Sequence, residues 1–282
     1  MIRLILLLFI LLPLNGYAEE QPRILVTIKP LHSLVANLLS GISQPELLLD
    51  GRLSPHSYQL RPSDALKLAK ADVIIWVGPT LEDFMQKQLR QNKEKTIIQL
   101  FNDDHTHDPH AHIQADPHRW LDPQLAIIDV QHIAERLTSQ YPHLSKKVSL
   151  NMAKLIQRLK ILDQTLTDKL SDNKTLSALL YHDAWQFFTR RYQLNVHGII
   201  NPTAHGQPGA RHLAAIAEIL KTRDTRCLLI EPQFKPRYIN TLKNKYQLKT
   251  LNVDPLGANQ PAGPSAYFNM MHNNTDVFAQ CL

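Results

Sequence analysis

A seam of apolar residues runs through the middle of this chain, with a different pattern on either side of it. Val148, Met152, Leu155, Leu159, Leu162, Leu166 and Leu170 recur at spacings of four and three. That period is the mark of an amphipathic helix from about Ser145 to Leu170, roughly 40 Å long at 1.5 Å per residue. A helix of this length can hide its stripe in two ways. It can pair with a second copy as a coiled coil, or it can lie along two lobes of its own chain. The second is expected here, because globular αβ patterns flank the stripe on both sides.

Before the stripe, Ile24 to Lys29, Glu46 to Leu49, Val73 to Val77 and Thr96 to Leu100 read as short buried strands, rich in β-branched residues and bounded by Pro, Gly and Asp. Helical stretches fall at His32 to Leu39, Asp64 to Lys70 (with Ser63 as its N-cap), Glu82 to Gln91 and Gln124 to Ser139. After the stripe the style repeats. Ala178 to His182, Val196 to Ile200, Cys227 to Pro232 and Leu248 to Val253 read as strands, and Ala184 to Arg191, Gly209 to Lys221 and Pro236 to Tyr246 as helices. Strands alternating with helices predict parallel sheets covered on both faces. The expected fold class is therefore α/β: two lobes, each a mostly parallel sheet flanked by helices, joined by one long rigid helix. The expected division is 1–18 leader, 19–140 first lobe with a histidine-rich loop at 102–115, 141–172 connecting helix, and 173–282 second lobe.

The leader has a positive start at Arg3, an apolar run from Leu4 to Leu14, and small residues at Gly16 and Ala18. This reads as a secretory signal, too short to span a membrane. Export implies an oxidising compartment. The two cysteines, Cys227 and Cys281, are expected to pair there, stabilising the fold by on the order of 4 kcal/mol. Net charge is +6, or +5 without Arg3, and the basic residues are scattered among acids. No basic block or aromatic-interleaved stripe supports nucleic-acid binding.

The chain carries fourteen histidines, and five of them lie between Phe101 and Pro123. His105, His107, His110 and His112 sit among Asp, Thr, Pro and Ala, a composition that buries no core. His118 stands in the tighter motif DPHRWLDP. His56 follows the second strand in SPHSYQLRPSD, and His182 ends the strand ALLYH. Asp254 follows the last strand in VDPLG. In open αβ sheets, ligands gather at the carboxyl ends of strands, and all four positions suit that edge. His56, His118 and His182, with Asp254 or a water, form a four-coordinate set that suits Zn²⁺; nitrogen ligands also suit Cu²⁺, which only metal supply would exclude, whereas Mn²⁺ favours more oxygen ligands. Each residue also has a plain structural alternative: a turn histidine, a core histidine, an acidic cap.

Taken in order, SPHSYQLRPSD, VIIWVGPTLEDFMQK, the histidine loop, DPHRWLDP, YHDAWQFF, PGARHL, IEPQF and VDPLG resemble the periplasmic zinc-binding receptors of bacterial ABC transporters. The resemblance covers nearly the whole mature chain. It implies two αβ lobes on a rigid helix and a late disulfide in the second lobe. It also implies three metal ligands at His56, His118 and His182, where manganese-type relatives carry Glu at the last position. Asp254 falls on the acidic position that completes the site in some members. Pro55 stands where some zinc receptors have a metal-reaching Glu, so the fourth ligand lies between Asp254 and water. The implied partners are the Zn²⁺ cargo and a membrane permease with a cytoplasmic ATPase, and the receptor is expected as a periplasmic monomer.

Around these ligands, Asp122 and Asp183 are expected to orient an imidazole and Glu231 to pack or position. Trp76, Trp120 and Trp185 are expected to pack near the lobe interface, and His197, His205 and His212 at the surface or hinge. The leading expectation is metal capture without catalysis, with affinity falling below about pH 6 as imidazoles protonate. The alternatives are a manganese receptor or adhesin of the same architecture, and a zinc hydrolase using Asp254 or Glu231 as base. The hydrolase needs a substrate pocket beside the metal, and no HExxH motif supports it.

Overall fold

The computed structural model describes residues 21–92, 94–101, 116–171, 175–202, 207–234 and 238–282. The leader, His205 and the histidine-rich loop 102–115 lie outside the described residues. The first lobe holds a parallel sheet of β1 (Ile24–Ile28), β2 (Glu46–Leu49), β3 (Val73–Trp76) and β4 (Thr96–Gln99) in the order β2-β1-β3-β4. The second holds β5 (Thr175–His182), β6 (Asn195–Asn201), β7 (Cys227–Ile230) and β8 (Lys249–Asn252) in the order β6-β5-β7-β8. The two sheets share one topology. β1 and β3 are buried along their whole length, as expected of inner strands in a parallel sheet sandwiched between helices. Edge strands β2 and β4 are only partly buried.

The covering helices are α1 (Lys29–Leu38), α2 (Pro62–Lys70), α3 (Gln86–Gln91), α4 (Pro123–Gln140), α6 (Gln186–Arg191), α7 (Ala210–Thr222), α8 (Tyr238–Tyr246) and α9 (Ala266–Ala279). Among the described residues, no helix is long and apolar enough to cross a membrane. Helix α2 starts one residue before the expected cap Ser63. Pro62 takes its first position, and the Asp64 carboxylate accepts from Arg61 N (2.8 Å) and the Tyr58 hydroxyl (2.7 Å). Helix α9 is absent from the sequence-based expectation. Tyr267, Phe268, Met270, Met271, Asn274, Thr275 and Phe278 are all buried in it. Asn269, His272, Asn273 and Asp276 form its exposed face, and the polar Asn274 and Thr275 on the buried face blur the apolar stripe that sequence would show.

The connecting helix α5 (Ser145–Lys169) buries Val148, Leu155, Leu159, Leu162 and Leu166 against its own chain, where α4, α1 and α9 pack on it. The coiled-coil alternative is thereby removed, since the stripe is already covered. Two buried polar residues on α5 pin the parts together. Asn151 Nδ2 donates to Leu38 O (2.8 Å) and Ser40 O (2.9 Å), satisfying carbonyls at the end of α1. Asp163 accepts from Gln124 of α4 (2.7 Å) and from Arg191 Nε (3.0 Å) and the Tyr192 hydroxyl (3.2 Å) at the end of α6. Burial works against its charged form, but these donors outweigh burial and hold the carboxyl below its ordinary pKa. Cys227, at the start of β7, is bonded to Cys281, just after α9 (Cα–Cα 6.0 Å).

Glu82 departs from the expected helix over Glu82 to Gln91. A 3₁₀ turn (Asp83–Met85) precedes α3, and the fully buried Glu82 carboxylate turns back to accept from Val77 N (2.7 Å) and Gly78 N (3.2 Å). Burial pushes its pKa up to about 7, against the opposing pull of the Thr27 side chain and the two backbone donors. The folded state therefore holds this proton more tightly than the unfolded chain. Stability is full below about pH 4.5 and is lost as pH rises through about 7. Glu82→Gln keeps an acceptor for both amides and removes the titration. Between pH 5 and 8 the native protein is expected to lose roughly 2–3 kcal/mol more unfolding free energy than this variant. Denaturant titrations at the two pH values measure it, and parallel losses in the two proteins would contradict the assignment.

Candidate metal centre

His56 is carried by a 3₁₀ turn (Pro55–Ser57) after β2, with Pro55 setting the first position of the turn. His118 caps the 3₁₀ turn (Arg119–Leu121) that leads into α4. His182 is the last residue of β5 and pairs in register with Asn201 of β6. Two residues thus come from the carboxyl side of the first sheet and one from the second. One ligand atom from each ring lies within 4.8 Å of the others. The ring centroids are 5.3 to 5.4 Å apart, and His56 Nε2 lies 3.3 Å from His118 Nε2. Zinc–nitrogen bonds of about 2.0–2.1 Å at tetrahedral angles place two nitrogens about 3.3–3.4 Å apart. The spacing of this pair already matches one shared ion.

Carboxylates fix the ring orientations. His118 Nδ1 bonds Asp116 Oδ1 at 2.6 Å, and the same oxygen accepts from His118 N at 2.9 Å. His182 Nδ1 bonds Glu231 Oε2 at 3.2 Å, while Glu231 Oε1 accepts from Trp185 Nε1 at 3.2 Å. Donation from Nδ1 leaves the Nε2 lone pair of each ring for a metal. Burial disfavours the charged form of His182, but Glu231, followed by Asp183 and Asp116, outweighs it and holds the ring above its ordinary pKa. Asp116→Asn or Glu231→Gln is expected to weaken Zn²⁺ binding by roughly 10–100-fold without removing a ligand. Calorimetric titration reads this directly, and unchanged affinity in both variants would deny the carboxylates an orienting role.

Some expected neighbours sit elsewhere. Asp122 caps α4, accepting from Gln124 N at 2.8 Å. Asp183 Oδ2 accepts from Gln186 Nε2 at 2.7 Å, and its buried Oδ1 has no hydrogen-bond partner among the described residues. Neither is hydrogen-bonded to a site histidine. The carboxylates bonded to the rings are Glu231, expected to pack or position, and Asp116, which sequence reasoning missed; its signal was the Asp two residues before His118 in DPH. Asp254 lies outside the three-histidine group. Its Oδ1 accepts from Leu256 N (3.1 Å) and Gln233 Nε2 (3.2 Å), closing a turn after β8. Of the tryptophans, Trp120 packs 5.2 Å from the His118 ring and donates to Pro255 O at 2.7 Å across the lobes. His212 bonds Ile199 O and His197 bonds Thr225, both within the second lobe.

The lobes are stitched around this centre. Lys29 Nζ donates to Gly257 O (2.9 Å), Ala258 O (3.2 Å) and Gln260 O (2.9 Å). The Tyr267 hydroxyl of α9 donates to Trp120 O at 2.8 Å, and Tyr267 N donates to Ser33 Oγ at 3.0 Å. The space between the three rings measures about 10 Å³ and is also lined by Glu231, Gln233 and Phe234. That is space for about one water.

Two parallel-sheet lobes on a connecting helix, sharing one buried imidazole cluster at their strand ends, define a bilobed metal-binding receptor. The chain belongs to the family of periplasmic zinc-uptake complex components, whose profile matches residues 24–281. It is 33% identical over 289 residues to the high-affinity zinc uptake system protein ZnuA of Haemophilus ducreyi, covering 92% of this chain and 93% of that protein. To the protein of the same description from Brucella abortus it is 28% identical, covering 95% and 94%. A crystal structure of ZnuA superposes with a TM-score of 0.80 at 21% identity, covering 93% of this chain and 99% of that one.

Proposed function

We infer that this protein captures Zn²⁺ in the periplasm and delivers it to an ABC transporter for high-affinity zinc uptake. The observation that carries the reading is the convergence of His56, His118 and His182 from two lobes, with two Nε2 atoms already at tetrahedral spacing. These three rings are the proposed ligands. The fourth position falls to a water or to Asp254, whose bonds from Leu256 N and Gln233 Nε2 both fall on Oδ1. The high-affinity zinc uptake proteins of Haemophilus ducreyi and Brucella abortus support zinc as the cargo. Delivery is proposed to a membrane permease driven by a cytoplasmic ATPase, by a monomer exported through residues 1–18.

The protein is a carrier and not an enzyme, as its family membership implies. All-nitrogen ligands from the chain disfavour Mn²⁺, which takes oxygen donors. Competition titration of metal-free protein with Zn²⁺ and Mn²⁺ tests the reading, together with zinc uptake in cells lacking the gene. Zn²⁺ is expected to displace Mn²⁺ completely. Preference for Mn²⁺, or normal zinc uptake without the protein, would overturn the proposal.

A further inference from the structure

A second cavity of about 370 Å³ lies against the metal pocket, between Leu53–Arg61 of the first lobe and Gln233 and Phe234 of the second. Ser54, Gln233 and Phe234 line both spaces and so form the wall between them. One of these residues also joins the lobes. Gln233 Nε2 donates to Gly51 O at 2.6 Å and to Asp254 Oδ1 at 3.2 Å, so a residue of the second lobe is bonded to the backbone of the first beside the metal. Gly51 is held close to the opposing lobe: its φ is +85°, and a Cβ there would sit 2.9 Å from Leu256 O. Only glycine fits this approach, so the accepting carbonyl has little freedom to retreat. Gln233 Oε1, meanwhile, is buried and has no hydrogen-bond partner among the described residues. A buried amide oxygen left unpaired carries a desolvation cost. A side chain held at that cost, with its other end spanning two lobes, points to a role beyond packing.

We propose that Gln233 is the latch of the metal route: its bond to Gly51 holds the wall between the metal pocket and the adjoining groove, and its release lets Zn²⁺ enter and leave. Phe234 follows it directly and packs edge-on against the His182 ring, centroids 5.3 Å apart. Movement of Gln233 therefore carries the aromatic cover of the metal with it. The inference rests on the zinc-receptor reading and adds where the ion passes and which residue sets its rate. The latch bond is made in the metal-free and the metal-bound closed states alike and is broken only while the ion passes, so its loss speeds entry and exit together. A ligand acts differently, because its loss speeds exit alone.

The test uses the whole mature protein loaded with Zn²⁺. Stopped-flow mixing with excess chelator gives the exit rate, and mixing metal-free protein with Zn²⁺ gives the entry rate. Gln233→Leu removes the donor. Gln233→Glu keeps the volume but sets a carboxylate against the Gly51 carbonyl and Asp254, and it serves if the leucine variant fails to fold. Both rates are expected to rise by roughly fivefold to tenfold, the worth of one hydrogen bond, with the dissociation constant nearly unchanged. Gln59→Leu, in the same groove but outside the metal pocket, is expected to leave both rates at the native value. Native-like rates in both Gln233 variants would overturn the latch. Faster exit with unchanged entry would also overturn it, by making Gln233 a ligand. Failure of the native protein to bind Zn²⁺ would instead strike at the receptor reading itself.

Discussion

Replacing His118 or His182 by alanine is expected to weaken Zn²⁺ binding roughly a thousandfold, about 4 kcal/mol, because a closed zinc site holds its ion through few strong bonds. Each ring is about 4% exposed and braced by a carboxylate, Asp116 or Glu231. Loss of the ring therefore removes a ligand and also leaves a buried carboxylate without its partner. The cavity left behind admits water, which restores one oxygen but not the orientation. His56 is more exposed and braced by a turn, so His56→Ala is expected to cost less. Calorimetry with a competing chelator measures all three. Equal, native-like affinities in the His118 and His182 variants would place the zinc elsewhere.

The second large effect concerns stability. The Cys227–Cys281 bond closes a loop with a sequence separation of 54, and constraining such a loop in the unfolded chain is worth about 4 kcal/mol. The bond also fixes where α9 ends. That helix starts in the second half of the sequence, packs on α1 and α5, and supplies Tyr267 to the carbonyl of Trp120 beside the site. Replacing both cysteines by serine is expected to lower unfolding free energy by about 4 kcal/mol. It is also expected to weaken zinc binding, since α9 then loosens from the wall behind Trp120. Denaturant unfolding and calorimetry on the double variant report the two effects. A stability loss below about 1 kcal/mol would mean that α9 is held by packing alone.

The elements legible in the sequence were those with a strong period. The short apolar runs gave all eight described strands to within a few residues, β5 beginning at Thr175, before the expected Ala178. The stripe from Val148 to Leu170 gave α5. Helix α9 was illegible because its buried face includes the polar Asn274 and Thr275, which interrupt the apolar period. Glu82 was misjudged as a helical residue because nothing local reveals that its carboxylate returns to Val77 and Gly78. The three histidines were nameable, since each follows a strand or closes a distinctive motif. Their braces were harder. Asp116 is two residues from His118, but Glu231 is 49 residues from His182, and sequence distance carries no information on such a pair.

By itself, the sequence determined the αβ lobes, the long helix between them and the residue types able to hold zinc, because these depend on local period and ligand chemistry. Only the tertiary structure decided that the stripe of α5 is covered by its own chain, that Asp254 Oδ1 accepts from Leu256 and Gln233, and that Gln233 spans the lobes. The physical reason is the same in each case. Hydrogen bonds and burial between distant segments depend on how two lobes meet, and that is settled by their packed surfaces and not by any local pattern.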